Sequence, residues 1–213
     1  MALQLGDAYQ EYYGSSSQQI SLLFTQGKTP LSISDIMQRR LDVRNIPSLK
    51  PFHDTWWDNY IHTCDLLVYD PQSQSGKILI YDPQVKELLH QIDLEKYVVH
   101  NTLFLPAYLT KHLPGLKLSE HDIRQLHGKN YTLNEAKQSL VWQYLARSQE
   151  RLEAYVDAVA QETESTASLM PLYFGGSSIF STAQLWSLSS HACNSSAKSL
   201  FDLENMYLRL IGI

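Results

Sequence analysis

The residues from Cys64 to Gln84, CDLLVYDPQSQSGKILIYDPQ, constrain the backbone more than any other stretch of the chain. Two runs, Leu66 to Tyr69 and Ile78 to Tyr81, are rich in branched aliphatic and aromatic residues and flank a polar segment over 70–76. That is the pattern of a β-hairpin. Pro71 withdraws a ladder donor just beyond the first strand, and Gly76 is expected to take the positive φ that closes the loop. Asp82-Pro83 ends the second strand as an N-cap with proline at the first helical position, which predicts a helix over 83–91. The echo of LVYDPQ in LIYDPQ is two strands ended by one stop signal, too few copies for a repeat architecture, which needs about three units to bury a continuous core.

A chain of 213 residues is long enough to bury a sizeable core. Its net charge of −5 comes from 17 basic and 22 acidic residues spread without long runs. No stripe exists to release phosphate counterions, so nucleic acid and anionic membrane are not expected as partners. Two cysteines, Cys64 and Cys193, make no disulfide framework and point to a reducing, cytoplasmic setting. The start, MALQLGD, lacks the basic and apolar regions of a signal peptide, and no run approaches the ~20 apolar residues of a membrane span.

Three regions are expected. Residues 1–29 form a polar arm rich in Tyr, Gln and Ser, in which Tyr9, Tyr12 and Tyr13 cluster ahead of Gly14 as partner-binding side chains, since tyrosine offers large amphipathic area at low rotamer cost. Residues 30–163 form a globular α+β domain. It should hold helices over 30–45 and 54–63, the hairpin, the 83–91 helix, a short strand near Tyr97-Val98-Val99 and a helix over 119–126. A long helix over about 132–161 opens at the capping box Thr132-Leu-Asn-Glu135. Residues 164–213 form a serine-rich loop region, with eleven serines among the 35 residues 165–199, a composition of irregular turns. It ends in a short amphipathic helix capped by Ser199, striped by Leu200, Leu203, Tyr207 and Leu210, and stopped by Gly212. The fold class is α+β: a mainly helical single domain around a small antiparallel sheet centred on hairpin 64–81, with the 132–161 helix packed across it.

One constellation suggests chemistry. On a 54–63 helix, Asp54, Asp58 and His62 share a face at i, i+4 and i+8, and with His53 they offer oxygen and imidazole ligands to a divalent metal. The same residues also read as ordinary helix electrostatics, with Asp54 as cap and His62 near the C-terminal end. Ser195-Ser-Ala-Lys198 fits S-x-x-K, but 23 serines and ten lysines produce about one such match by chance, and the companion motifs are absent. Cys64 lies beside Asp65 and lacks the cationic neighbour a thiolate needs, so it reads as a small core hydrophobe. Gly175-Gly176-Ser177-Ser178 lacks the Lys of a P-loop, and the helices joined through Gly128 form an αα corner whose second helix opens on Asn134 and Glu135.

The function these features favour is a non-catalytic interaction or assembly subunit. It docks a protein partner or a second copy through its arm and serine-rich region and uses no cofactor. The alternative is a small metal-dependent hydrolase built on His53, Asp54, Asp58 and His62.

Overall fold

The computed structural model describes residues 9–92, 98–99, 102–103, 105, 107–126, 128–162, 169–174, 182–191, 194–199 and 209–213. Among the described residues ten strands join in one mixed sheet: β1 (Gln10–Tyr12), β2 (Ile61–Asp70), β3 (Ser75–Leu79), β4 (Val98–Val99), β5 (Thr102–Leu103), β6 (Leu116–Leu118), β7 (Leu172–Phe174), β8 (Thr182–His191), β9 (Asn194–Ser199) and β10 (Leu210–Gly212). The central path runs β1-β10-β2-β8-β5-β4, with β3 and β6 branching from β2, and β9 and β7 from β8. Pairing is antiparallel except at β10–β2 and β7–β9.

β2 organises the molecule because all of Ile61 to Val68 is buried. Its side chains alternate between two cores: Ile61 and Leu67 join one, Cys64, Leu66 and Val68 the other. β8 does the same, with Trp186 and Leu188 on the first side and Ala183 and Leu185 on the second. A strand that is apolar on both faces needs cover on both faces, and nine α-helices among the described residues provide most of it. They are α1 (Ser16–Thr25), α2 (Ile33–Asn45), α3 (His53–Trp57), α4 (Pro83–Gln91), α5 (Ala107–Thr110), α6 (Glu120–Leu126), α7 (Leu133–Gln138), α8 (Leu140–Ala146) and α9 (Gln149–Glu162). Residues of α2, α3, α7, α8 and α9 enter the first core; residues of α1 and α4 enter the second. Among the described residues no helix is long and apolar enough to cross a membrane.

The expected mainly helical domain around a small antiparallel sheet is therefore corrected. The 83–91 helix is present, with Asp82 accepting from the Val85 amide, and so is a hairpin, but its strands run over Ile61–Asp70 and Ser75–Leu79 in place of Leu66 to Tyr69 and Ile78 to Tyr81. The sheet around them is large and mixed, because the serine-rich segment supplies three strands and the N-terminal stretch a fourth. In β8–β9 the buried serines bond across the ladder: Ser189 and Ser196 are register partners, with hydroxyls 2.7 Å apart, and the Ser195 hydroxyl lies 2.8 Å from that of Tyr155. Composition alone reads such residues as loop, whereas TAQLWSLSSH alternates with the period of a strand. Ser199 ends β9 and Leu210–Gly212 is β10, so neither fits the terminal helix; 200–208 lie outside the described residues. The long 132–161 helix is three helices. Ser139 starts a new one by accepting from the Trp142 amide, and Arg147, at φ 61°, ends it in the left-handed region.

The chain ends are stitched together. β1 pairs antiparallel with β10, and on either side of Pro30 the backbone exchanges hydrogen bonds with Ile211 and Ile213 at 2.9–3.0 Å. Residues 9–29 are thus sheet and covering helix, with Tyr12, Ile20 and Leu23 buried in the second core.

Candidate functional site

The four proposed metal ligands are not brought together. α3 stops at Trp57 with Asp58 as its C-cap, and the chain turns into β2, so the expected 54–63 helix and its shared face do not exist. His53 Nδ1 lies 3.0 Å from Asp54 and its Nε2 lies 3.2 Å from Glu162. Asp58 is exposed. His62 is fully buried in β2 between β10 and β8, where burial pushes its pKa down to about 4. Among the described residues no three His, Cys, Asp or Glu side chains form a metal-binding group.

The three tyrosines divide. Tyr12 is buried and donates to Gln26 Oε1 at 2.8 Å. Tyr9 meets Trp56 edge-on at 5.2 Å, with the Arg39 guanidinium 4.7 Å above its ring. Tyr13 remains about half exposed, its ring 5.8 Å from the Arg209 guanidinium. These contacts tie the N-terminal stretch to its own domain.

Other reactive-looking groups serve the fold. Burial, reinforced by Asp65, pushes the Cys64 thiol far above its ordinary range, the reverse of what a nucleophile requires. Asp65 is buried too, and its two oxygens accept from the amides of Ile33 at 2.8 Å and Tyr81 at 2.7 Å, joining the start of α2 to the chain leaving β3. Ser195 and Lys198 both lie on β9, a strand, so they are not set on successive turns of a helix. Cys193 and Gly175 to Ser178 lie outside the described residues.

Among the described residues a groove lies open on β3 and β6. Its volume is about 830 Å³ and its walls include Val68, Leu118, Tyr108, Lys77, Lys111 and Lys117. A second depression of about 410 Å³ adjoins it, sharing Lys117, Leu118 and Asp122 and adding Lys129 and Leu140. Gly115 makes the groove possible: a Cβ there would lie 2.6 Å from the Ile78 carbonyl oxygen, so only glycine lets the chain entering β6 approach β3 this closely. The Lys77 ammonium donates to the carbonyls of Thr110, Lys111 and Leu113, each at 3.1 Å, pinning the loop that follows α5. Burial, and then the charge of Lys117, lowers the Lys77 pKa. Asp122, on the far wall, accepts from the Ser119 amide and hydroxyl at 2.8 and 2.7 Å and starts α6. Tyr108 and Leu140 stand at the rims with 69% and 62% of their surface exposed.

These lysines are scattered in sequence, so no basic run announces them; only the register of β3 against β6 and the turn at Pro114-Gly115 assemble them. No family model matches the chain, and no curated protein matches it. Among solved structures, one described as "Accommodation of massive sequence variation in Nanoarchaeota by the C-type lectin fold" superposes with a TM-score of 0.66, covering 96% of both chains at 11% identity. The chain has the C-type lectin fold, which replaces the mainly helical arrangement expected from its sequence.

Proposed function

We propose that this chain is a non-catalytic binding module that holds a protein ligand in the groove over β3 and β6. The observation that carries this reading is the groove itself: a large, partly apolar concavity with a highly exposed tyrosine at its rim, on a sheet whose own reactive groups are locked into the fold. Concave apolar surfaces with a few placed polar groups are where ligands bind, and exposed tyrosine is a favoured anchor of interfaces. The interaction role inferred from the sequence is kept, but its location moves. The N-terminal stretch and the serine-rich strands are scaffold, so docking is assigned to the groove. The related structure's fold is described as accommodating massive sequence variation, and a scaffold that tolerates surface change while holding its backbone suits a binding role. The hydrolase alternative gains no support, since His62 is buried and no three of these residues form a metal-binding group among the described residues.

The test is selection of a random displayed peptide library on the full chain, with selected peptides measured by fluorescence anisotropy against wild type and Tyr108→Ala. Loss of about tenfold or more in affinity on the alanine change is expected for a central aromatic anchor. Peptides that bind both proteins equally would place the binding surface elsewhere.

A further inference from the structure

Four of the chain's ten lysines, Lys77, Lys111, Lys117 and Lys129, line the groove and its adjoining depression, on a protein whose net charge is −5. Lys77 and Lys117 are register partners across β3 and β6, so two ammonium-bearing side chains start from directly opposite positions. Like charges in that arrangement repel and weaken the pair. Part of the charge on Lys77 is taken up by its three carbonyl partners. Lys117 is exposed where the two depressions meet. The carboxylates nearby are committed to local structure. Asp70 accepts from the Gln72 amide at 3.0 Å and the Ser73 hydroxyl at 2.8 Å, Asp122 starts α6, and Glu135 accepts from the amide and hydroxyl of Thr132, both at 2.9 Å.

From this charge pattern we infer that the groove takes an extended acidic segment of a partner protein. Carboxylates of the segment sit against Lys117 and Lys111, and its intervening apolar side chains lie on Tyr108, Val68 and Leu118. Alternation fits an extended chain, whose successive side chains point to opposite sides. A carboxylate placed by Lys117 turns the repulsion with Lys77 into attraction, so the bound state relieves what the free state leaves unfavourable. A nucleic acid also carries anions, but the lysines here are interleaved with Val68, Leu118 and Tyr108 and form no continuous basic stripe to follow a phosphate backbone. The inference rests on the groove being the binding site.

The same selection separates the two claims. Expected are peptides enriched in Asp and Glu whose affinity falls about tenfold or more in Lys111→Glu/Lys117→Glu, and likewise on raising salt from roughly 50 to 500 mM. Thermal unfolding of Lys117→Glu should be no lower than wild type, because the change replaces repulsion of Lys77 with attraction; Lys117→Gln serves as a milder binding variant should the double change disturb the fold. Peptides without acidic enrichment that lose affinity for Tyr108→Ala but not for the charge reversals overturn the acidic ligand while leaving the groove in place. No enriched peptide, or peptides indifferent to Tyr108→Ala, overturns both. A mixed-sequence single-stranded oligonucleotide that binds more tightly than the peptides, with loss in the charge reversals, overturns the protein ligand in favour of a nucleic acid.

Discussion

Two histidines that the sequence offers as one metal site act in opposite ways on stability. Burial pulls the His53 pKa down, but bonds to Asp54 and Glu162 outweigh it and hold it above the ordinary value. A raised folded pKa contributes stability below the unfolded value of about 6.5, and that contribution is lost as pH rises through the folded pKa. His62 is depressed to about 4 by burial, so between about 6.5 and 4 the unfolded chain binds the extra proton and acid destabilises the fold. That penalty reaches about 2 kcal/mol at pH 5. In denaturant titrations across pH, His62→Leu should flatten the acid side of the stability profile, since it removes a proton acceptor whose Nδ1 has no hydrogen-bond partner. His53→Gln should cost stability near pH 5.5 and progressively less toward pH 9. An unchanged acid slope in His62→Leu would contradict the assignment. The residue types were legible in HDTWWDNYIH, whose Trp56 and Trp57 are buried. The helix was not, because Asp58 and Asn59 end it and the β-rich run beginning at Ile61 wins the following residues for the sheet.

Signals at the starts of helices were legible, whereas the extents of helices and the elements defined by distant partners were not. Thr132 and Glu135 form the capping box their spacing predicts, because all the bonding atoms lie within one turn, and the structure adds a second box of Ser32 and Asp35. The hairpin loop closes at Asp70 and Ser75, one residue ahead of Gly76, and Gln74 carries the positive φ. Gly76 is instead a buried strand residue whose Cβ would meet Ile123 at 3.0 Å. β8 and β9 bond to each other through Ser189, Ser195 and Ser196, but β8 is buried against β2, more than a hundred residues earlier. The groove depends on one such long-range fit, at Gly115. Gly115→Ala forces a Cβ against the Ile78 carbonyl and should destabilise the protein by about 1–3 kcal/mol, releasing β6 and abolishing peptide binding together. A variant that unfolds at the wild-type temperature, with the groove intact, would show that the backbone shifts freely there.

At the scale of the molecule, paired chain ends and a strand buried on both faces make the scaffold, and the groove lies on a branch of the sheet, β3 and β6, away from the β1–β10 closure. This explains why the groove was invisible in the sequence: its three lysines come from positions 77 to 117, and Lys77 and Lys117 meet only after β6 pairs with β3. It also separates stability from binding. Charge reversal at exposed Lys111 or Lys117 should leave unfolding largely unchanged, within about 0.5 kcal/mol, as for other surface substitutions, while altering ligand affinity. The most direct measurement is amide chemical-shift mapping of the full chain titrated with a selected peptide. The account predicts perturbations concentrated on 75–79 and 108–118, with little change at β1 and β10. Shifts centred on the N-terminal stretch or on β8 and β9, with 108–118 silent, would contradict it.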